Sequence, residues 1–148
     1  MPRKAMPNSK LSPETDAAGF IWPVRVYWED TDAGGVVYYA NYLKFLERAR
    51  TEWLRKLDVH QTELADRDGV IFVVRRAEAD YLRSARFDDA LEVFCWLRHL
   101  GRASLEMEQT VMRGDETLLT ARIKVACVTT VEFRPARIPD HILERFGK

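Results

Sequence analysis

The chain is poor in the residues from which thiol chemistry, metal sites and disulfide frameworks are built: its 148 residues include two cysteines and three histidines. Cys95 and Cys127 both lie inside apolar, strand-like patterns, so they read as small core residues rather than as a disulfide or catalytic thiols. There is no G-x-S-x-G turn, no H-E-x-x-H pair, no cysteine cluster and no glycine-rich phosphate loop. Serine-hydrolase, zinc and nucleoside-triphosphate chemistry therefore lack support, and neither a metal nor a cofactor is expected. No stretch approaches the ~20 apolar residues needed to cross a bilayer, and no apolar segment of signal-peptide length follows Arg3 and Lys4. Net charge is missing as well. The 23 basic and 23 acidic residues cancel, which argues against a broad nucleic-acid footprint. Together these absences point to a cytoplasmic protein without a transmembrane segment.

What is present suffices for one domain, since 47% of the residues are hydrophobic. Residues 1–19, MPRKAMPNSKLSPETDAAG, have no periodicity and are expected to form a flexible extension, leaving 20–148 as a single domain. Val24, Val26 and Trp28 alternate with Arg25, Tyr27 and Glu29 and predict a first strand. Tyr42, Phe45, Leu46, Ala49, Trp53 and Leu57 then fall at helical spacing, with Lys44, Glu47, Arg48, Arg50, Arg55 and Lys56 around the rest of the circumference. Beyond this helix the period becomes two. Strands are expected over about 70 to 83 and 90 to 99, then along Leu105, Met107, Gln109 and Val111, and last along Leu119, Ala121, Ile123, Val125 and Cys127. Gly101 and the Gly114-Asp115 pair mark the hairpin turns. One strand, one long helix and several strands predict an α+β fold, an antiparallel β-sheet wrapped around one long central α-helix.

Chemistry concentrates between the first strand and the helix, in YWEDTDAGGVVYYANY. Asp30, Thr31 and Asp32 favour turns and caps, and Gly34 and Gly35 admit torsions that other residues resist. The N–H groups that open a helix have no intrahelical acceptor, and the macrodipole is positive there. A thioester carbonyl at that end would be polarised, while a nearby carboxylate attacks its carbon or activates a water. Aspartate and glycine before a helix more commonly form only a cap and a turn. Asp30 is expected to accept hydrogen bonds within the turn, and Asn41 to serve the local backbone.

The segments WPVRVYWEDTDAGGVVYYANY, LERARTEWLRKL, FVVRRAEADYLRSARFDD and RASLEMEQ closely resemble the hotdog-fold acyl-CoA thioesterases, in particular the Tol-Pal-associated group and its hydroxybenzoyl-CoA thioesterase relatives, from Trp22 to about Pro139. The resemblance implies hydrolysis of an acyl-CoA thioester to a free carboxylic acid and coenzyme A. It assigns catalysis to Asp32 and electrophile activation to the Tyr39 backbone amide at the start of the central helix. Tyr39 itself is a departure, because the Tol-Pal group typically carries histidine there. Ser84 is another, since many relatives have proline in the turn before Asp88 and Asp89. Gly35 and Val36 are implied to bind substrate, as are Arg102 and Ser104 at the nucleotide phosphates; Phe72, Val73 and Val74 read equally well as lining the pantetheine channel and as core packing. Arg75, Arg76, Arg83, Arg86 and Arg98 are weaker candidates, each more readily read as a cation on a solvated strand face. Glu47 is the reserve carboxylate, because another thioesterase clade draws its acid from the central helix.

Hotdog proteins generally work as dimers or dimers of dimers with active sites at subunit junctions, so a homodimer or homotetramer is expected. The sheet edge and the aromatic positions Tyr27, Phe72, Phe94 and Trp96 offer the surface for it. The Tol-Pal resemblance further implies an acyl carrier protein or Tol-Pal-linked partners and a peripheral place at the inner membrane. It also keeps an alternative open, a non-catalytic acyl-CoA or acyl carrier protein binding module of the cell envelope. Hotdog dehydratase chemistry would need an active-site histidine, and His60, His99 and His141 read as loop, strand-end and tail residues.

Overall fold

A computed structural model describes residues 19–147. The expected N-terminal extension, Gly19 apart, therefore lies outside the described residues. Strand β1 (Phe20–Arg25) is shorter than its alternation predicts. The chain turns instead through a 3-10 segment at Trp28–Asp30, because the Asp30 carboxylate accepts from the Tyr27 N–H at 2.8 Å and closes the turn. Trp28, expected to point inward from a strand, is consequently 72% exposed and stacks on Phe87 with ring centroids 3.7 Å apart.

Helix α1 (Asn41–Lys56) buries Tyr42, Phe45, Leu46, Ala49 and Trp53, the face marked by the sequence spacing, while Leu57 caps it half-buried. Helix α2 begins at Gln61–Glu63, widens into a π turn over Leu64–Asp68 and stops at Gly69, whose φ of 67° suits a glycine helix stop. Four strands follow, β2 (Val70–Tyr81), β3 (Ala90–Leu100), β4 (Ser104–Arg113) and β5 (Glu116–Thr129). A last helix, α3 (Asp140–Arg145), carries His141 where the sequence reads as tail; it buries Ile142, and Phe146 just beyond it lies 5.6 Å from the Trp53 ring.

All strand pairs are antiparallel, in the order β1-β3-β4-β5-β2, so β2 is an edge although it is early in sequence. The apolar face of α1 shares one buried core with Val93, Cys95, Leu105, Met107 and Ile123 of the sheet. One polar side chain enters this core. Gln109 is fully buried, donating to the Leu46 carbonyl at 3.0 Å and accepting from Arg50 Nη1 at 2.9 Å. Removing one partner of such a pair typically costs about 1–3 kcal/mol in desolvation. Cys95, beside Gln109, is enclosed, and burial pushes its thiol up to about 12.

Phe94 and Trp96 do not form partner surface. Alternation along β3 turns them to the sheet face opposite Val93 and Cys95, where they are fully buried in a second cluster with Met112 and Ile21. Of the four aromatic positions expected to meet a partner, Tyr27 is exposed and Phe72 half-buried.

Candidate active site

The loop from Thr31 to Ala40 is fixed at several points before α1 begins. Thr31 bridges Val37, Val36 bridges Arg86, and the Val37 N–H donates to the Ala85 carbonyl at 2.9 Å. Asp30 holds the structural role expected of it, buried and accepting from Tyr27 N–H, while its carbonyl receives both Tyr38 N–H at 2.9 Å and Asn41 Nδ2 at 2.8 Å. Asn41 is therefore committed to the backbone. Asp32 faces solvent. Its Oδ1 accepts from the Gly34 N–H at 2.8 Å, and its other oxygen has no hydrogen-bond partner among the described residues. Gly35 stands at φ 84°, a left-handed conformation that only glycine adopts readily.

Tyr39 precedes α1 by two residues, so its amide belongs to the entry turn rather than to the first helical turn. Neighbouring N–H groups are used: Tyr38 donates to Asp30 and Asn41 to the Tyr38 carbonyl. The Tyr39 N–H finds no acceptor among the described residues. Asp32, Val36 and Tyr39 line one concavity of about 300 Å³ together with Val37, Tyr42 and the Tyr81-Leu82-Arg83-Ser84 segment that leaves β2. A carboxylate and a residue whose amide is free among the described residues border one hollow, and thioester hydrolysis asks for such a pair, one to attack or activate water and one to receive charge on the carbonyl oxygen. Around them the phenols are perturbed. A hydrogen bond with Tyr39 raises Tyr38, and burial raises Tyr42 and Tyr81.

The remaining predicted positions gather elsewhere. Ser104 of β4 stands opposite Ala126 of β5, which in turn stands opposite Val73 of β2, so Arg102, Ser104 and Phe72 to Val74 occupy one end of the sheet. Phe72 and Val74 also line a cavity of about 120 Å³ with Glu47, Arg50 and Thr51 of α1. Glu47 there accepts from Thr51 Oγ1 at 2.7 Å and does not line the hollow of Asp32. Tyr81, beside Asp32, stands opposite Leu119 at the far end of β2. At ~3.3 Å per residue, Val74 and Tyr81 are about 20 Å apart, so one protomer does not bring the two groups together. Among the weaker arginines, Arg98 pairs with Glu108 at 2.8 Å and Arg76 with Glu78 at 3.4 Å, as solvated or structural cations do. Arg83 pairs with Glu116 at 3.2 Å but also borders the Asp32 hollow. Sequence reasoning missed Tyr81 as a site residue; its only signal is its place at the end of a predicted strand.

An antiparallel sheet with one long helix entered through an aspartate turn is the arrangement of the hotdog fold, and likeness to known proteins gives its class. Residues 26–146 match the thioesterase-like superfamily, and the chain belongs to that superfamily. It is 44% identical over 128 residues to the acyl-CoA thioesterase YbgC of Haemophilus influenzae, covering 86% of this chain and 94% of the relative. A probable thioesterase from Bartonella henselae, 38% identical, superposes with a TM-score of 0.78 over 82% of this chain and 99% of that one. A 4-hydroxybenzoyl CoA thioesterase solved with 4-hydroxybenzoyl CoA shares the fold, with a TM-score of 0.81, 17% identity, and coverage of 88% of this chain and 99% of that one.

Proposed function

We infer that the protein is an acyl-CoA thioesterase, hydrolysing a thioester to a carboxylic acid and coenzyme A. The observation that carries the reading is that Asp32 and Tyr39, whose N–H has no acceptor among the described residues, line the same hollow. Asp32 attacks the thioester carbon or takes a proton from an attacking water, and the Tyr39 amide stabilises the developing oxyanion. Gly35 and Val36 flank the reacting group. A backbone donor makes the tyrosine in place of histidine compatible with the same step, since any residue but proline supplies that N–H.

The second part of the proposal is a homodimer, with a dimer of dimers as its extension. The unpaired outer edge of β2 is twelve residues long and offers its backbone groups to a second copy. Two β2 strands meeting antiparallel would set the Asp32 end of one protomer against the Phe72-to-Val74 and Arg102-Ser104 end of its partner, closing the gap of about 20 Å left within one chain. The thioester would then run from Arg102 at its phosphates to Asp32 at its carbonyl. An acyl carrier protein as thioester donor, Tol-Pal-linked partners and a cytoplasmic location at the inner-membrane surface complete the proposal and rest on the likeness of the motif. Among the described residues, no helix is long and apolar enough to cross a membrane.

The test is release of free coenzyme A, followed by mass spectrometry, from short, long and aromatic acyl-CoA substrates by the full chain and by Asp32→Asn. Hydrolysis that falls by at least about 10²-fold in the variant supports the assignment. Full activity in Asp32→Asn removes Asp32 from the mechanism. Label from heavy-oxygen water entering the Asp32 carboxylate in a single turnover distinguishes a covalent anhydride from activated water.

A further inference from the structure

The amide assigned to the oxyanion is held from the sheet as well as from its own turn. An N–H direction is set by the peptide that carries it and by the torsions at the adjoining Cα. On one side of Tyr39, the Tyr38 carbonyl accepts from Asn41 N–H at 2.8 Å and Tyr38 N–H is tied to Asp30. On the other side, the Tyr39 carbonyl accepts from the Tyr81 hydroxyl at 3.0 Å, across 42 residues of sequence. Both peptides that meet at the Tyr39 Cα are thereby fixed, and the Tyr39 N–H, carried by the first of them, has no acceptor among the described residues.

We propose that Tyr81 is a positioning residue for thioester hydrolysis: its hydroxyl, mounted at the end of β2, fixes the Tyr39–Ala40 peptide and with it the torsions at Tyr39, so that the Tyr39 amide keeps one orientation beside the hollow that Tyr39 and Tyr81 line with Asp32. The inference rests on the thioesterase reading above. Tyr81 is well placed to act as a fixed post. It ends β2 opposite Leu119, and the next two residues, Leu82 and Arg83, both donate to the Leu118 carbonyl at 2.9 and 3.1 Å. Its ring is held edge-on by Tyr42, with centroids 5.6 Å apart, and by Tyr39 at 6.2 Å. Tyr42 in turn accepts from the Ala85 N–H at 2.8 Å and pins the segment beyond. Burial, then the neighbouring Tyr39 phenol, raise the Tyr81 phenol above its ordinary value, which favours the protonated form that donates this hydrogen bond.

Tyr81→Phe isolates the hydroxyl, because the ring and its packing remain. With the full chain and an acyl-CoA that the wild type turns over, kcat falls about tenfold, less than the 10²–10³ expected for removing an oxyanion donor outright. KM stays within about twofold and the thermal midpoint is unchanged, as expected for an interaction made in the transition state. A second readout uses two unreactive coenzyme A analogues. An alkyl thioether, which has no carbonyl oxygen, binds wild type and variant equally; a ketone with methylene in place of sulfur binds the variant more weakly. Wild-type kcat in Tyr81→Phe overturns the inference, as does a parallel loss of thioether binding and thermal stability, which would mark a general structural role. A wild type that hydrolyses no thioester overturns the thioesterase reading and this inference with it.

Discussion

The Gly34 N–H donates to Asp32 Oδ1 at 2.8 Å, and a Cβ at Gly34 would stand 3.2 Å from that same oxygen. The carboxylate is thus held by a residue that has room for it only because it lacks a side chain. Gly34 is not one of the positive-φ residues, so its requirement is one of close approach rather than torsion.

Gly34→Ala is therefore expected to displace the Asp32 carboxylate by a few tenths of an ångström and leave the fold intact. A shift of this size in a reacting group should lower kcat by about three- to tenfold, given that ~1 Å can cost 10²-fold. Steady-state kinetics at saturating acyl-CoA, beside a thermal melt, checks it. An alanine variant with unchanged kcat would show that the Gly34 contact does not set the reactive position of Asp32.

Asp89 links stability to pH near the site, because its partner Arg113 also donates to the carbonyl of Ser84, which lines the hollow. Burial pushes its carboxyl up, but the Arg86 N–H and the Arg113 guanidinium 2.7 Å away outweigh burial and hold it below the ordinary carboxylate value. A carboxyl depressed in the folded state stabilises fully above its unfolded value of ~3.9, and that contribution is lost as pH falls through the lower folded value. Asp89→Asn should lower the urea midpoint at pH 7, and the gap to wild type should narrow as pH drops below about 4. A gap of equal size at pH 7 and pH 3 contradicts the linkage. The same segment carries Ala85, which receives Val37 N–H, so activity should fade with acid before global unfolding.

Mixing inactive subunits examines the composite site directly. If Asp32 of one protomer works with Arg102 and Ser104 of the other, Asp32→Asn and an Arg102→Ala, Ser104→Ala double variant are each impaired alone. Refolded together they form mixed dimers with one intact site, and up to about a quarter of wild-type activity returns, half the dimers being mixed and each having one of two sites. No recovery, with exchange verified by native mass spectrometry, would assign the two groups to one protomer.

Much of this architecture is legible in the chain because it is local. The face of α1 follows from spacing, and Asp32 and Tyr39 are seven residues apart, so one turn suffices to join them. Trp28 misleads because alternation continues through Glu29 while the Asp30 carboxylate closes a turn, a side-chain hydrogen bond that a hydrophobic pattern does not register. Gln109 falls on the inward face by alternation, but its partners come from a helix some sixty residues earlier, and a pattern of burial does not name them. Tyr81 and the separation of Phe72 to Val74 from Asp32 depend on sheet order. That β2 lies at the edge beside β5 is a long-range pairing, and the same strands in another order would carry the same sequence signals.

Strand β2 carries residues of both groups, Val74 toward one end and Tyr81 at the other, with a bulge between Val74 and Arg76. The strand is in effect a measuring rod whose length in residues sets how far apart these two groups stand within one protomer. A residue gained or lost there would reverse the facing of everything beyond it and shorten or lengthen the span by ~3.3 Å. Changes in the lengths of surface loops leave that separation as it is, whereas the residue count of this one strand sets it.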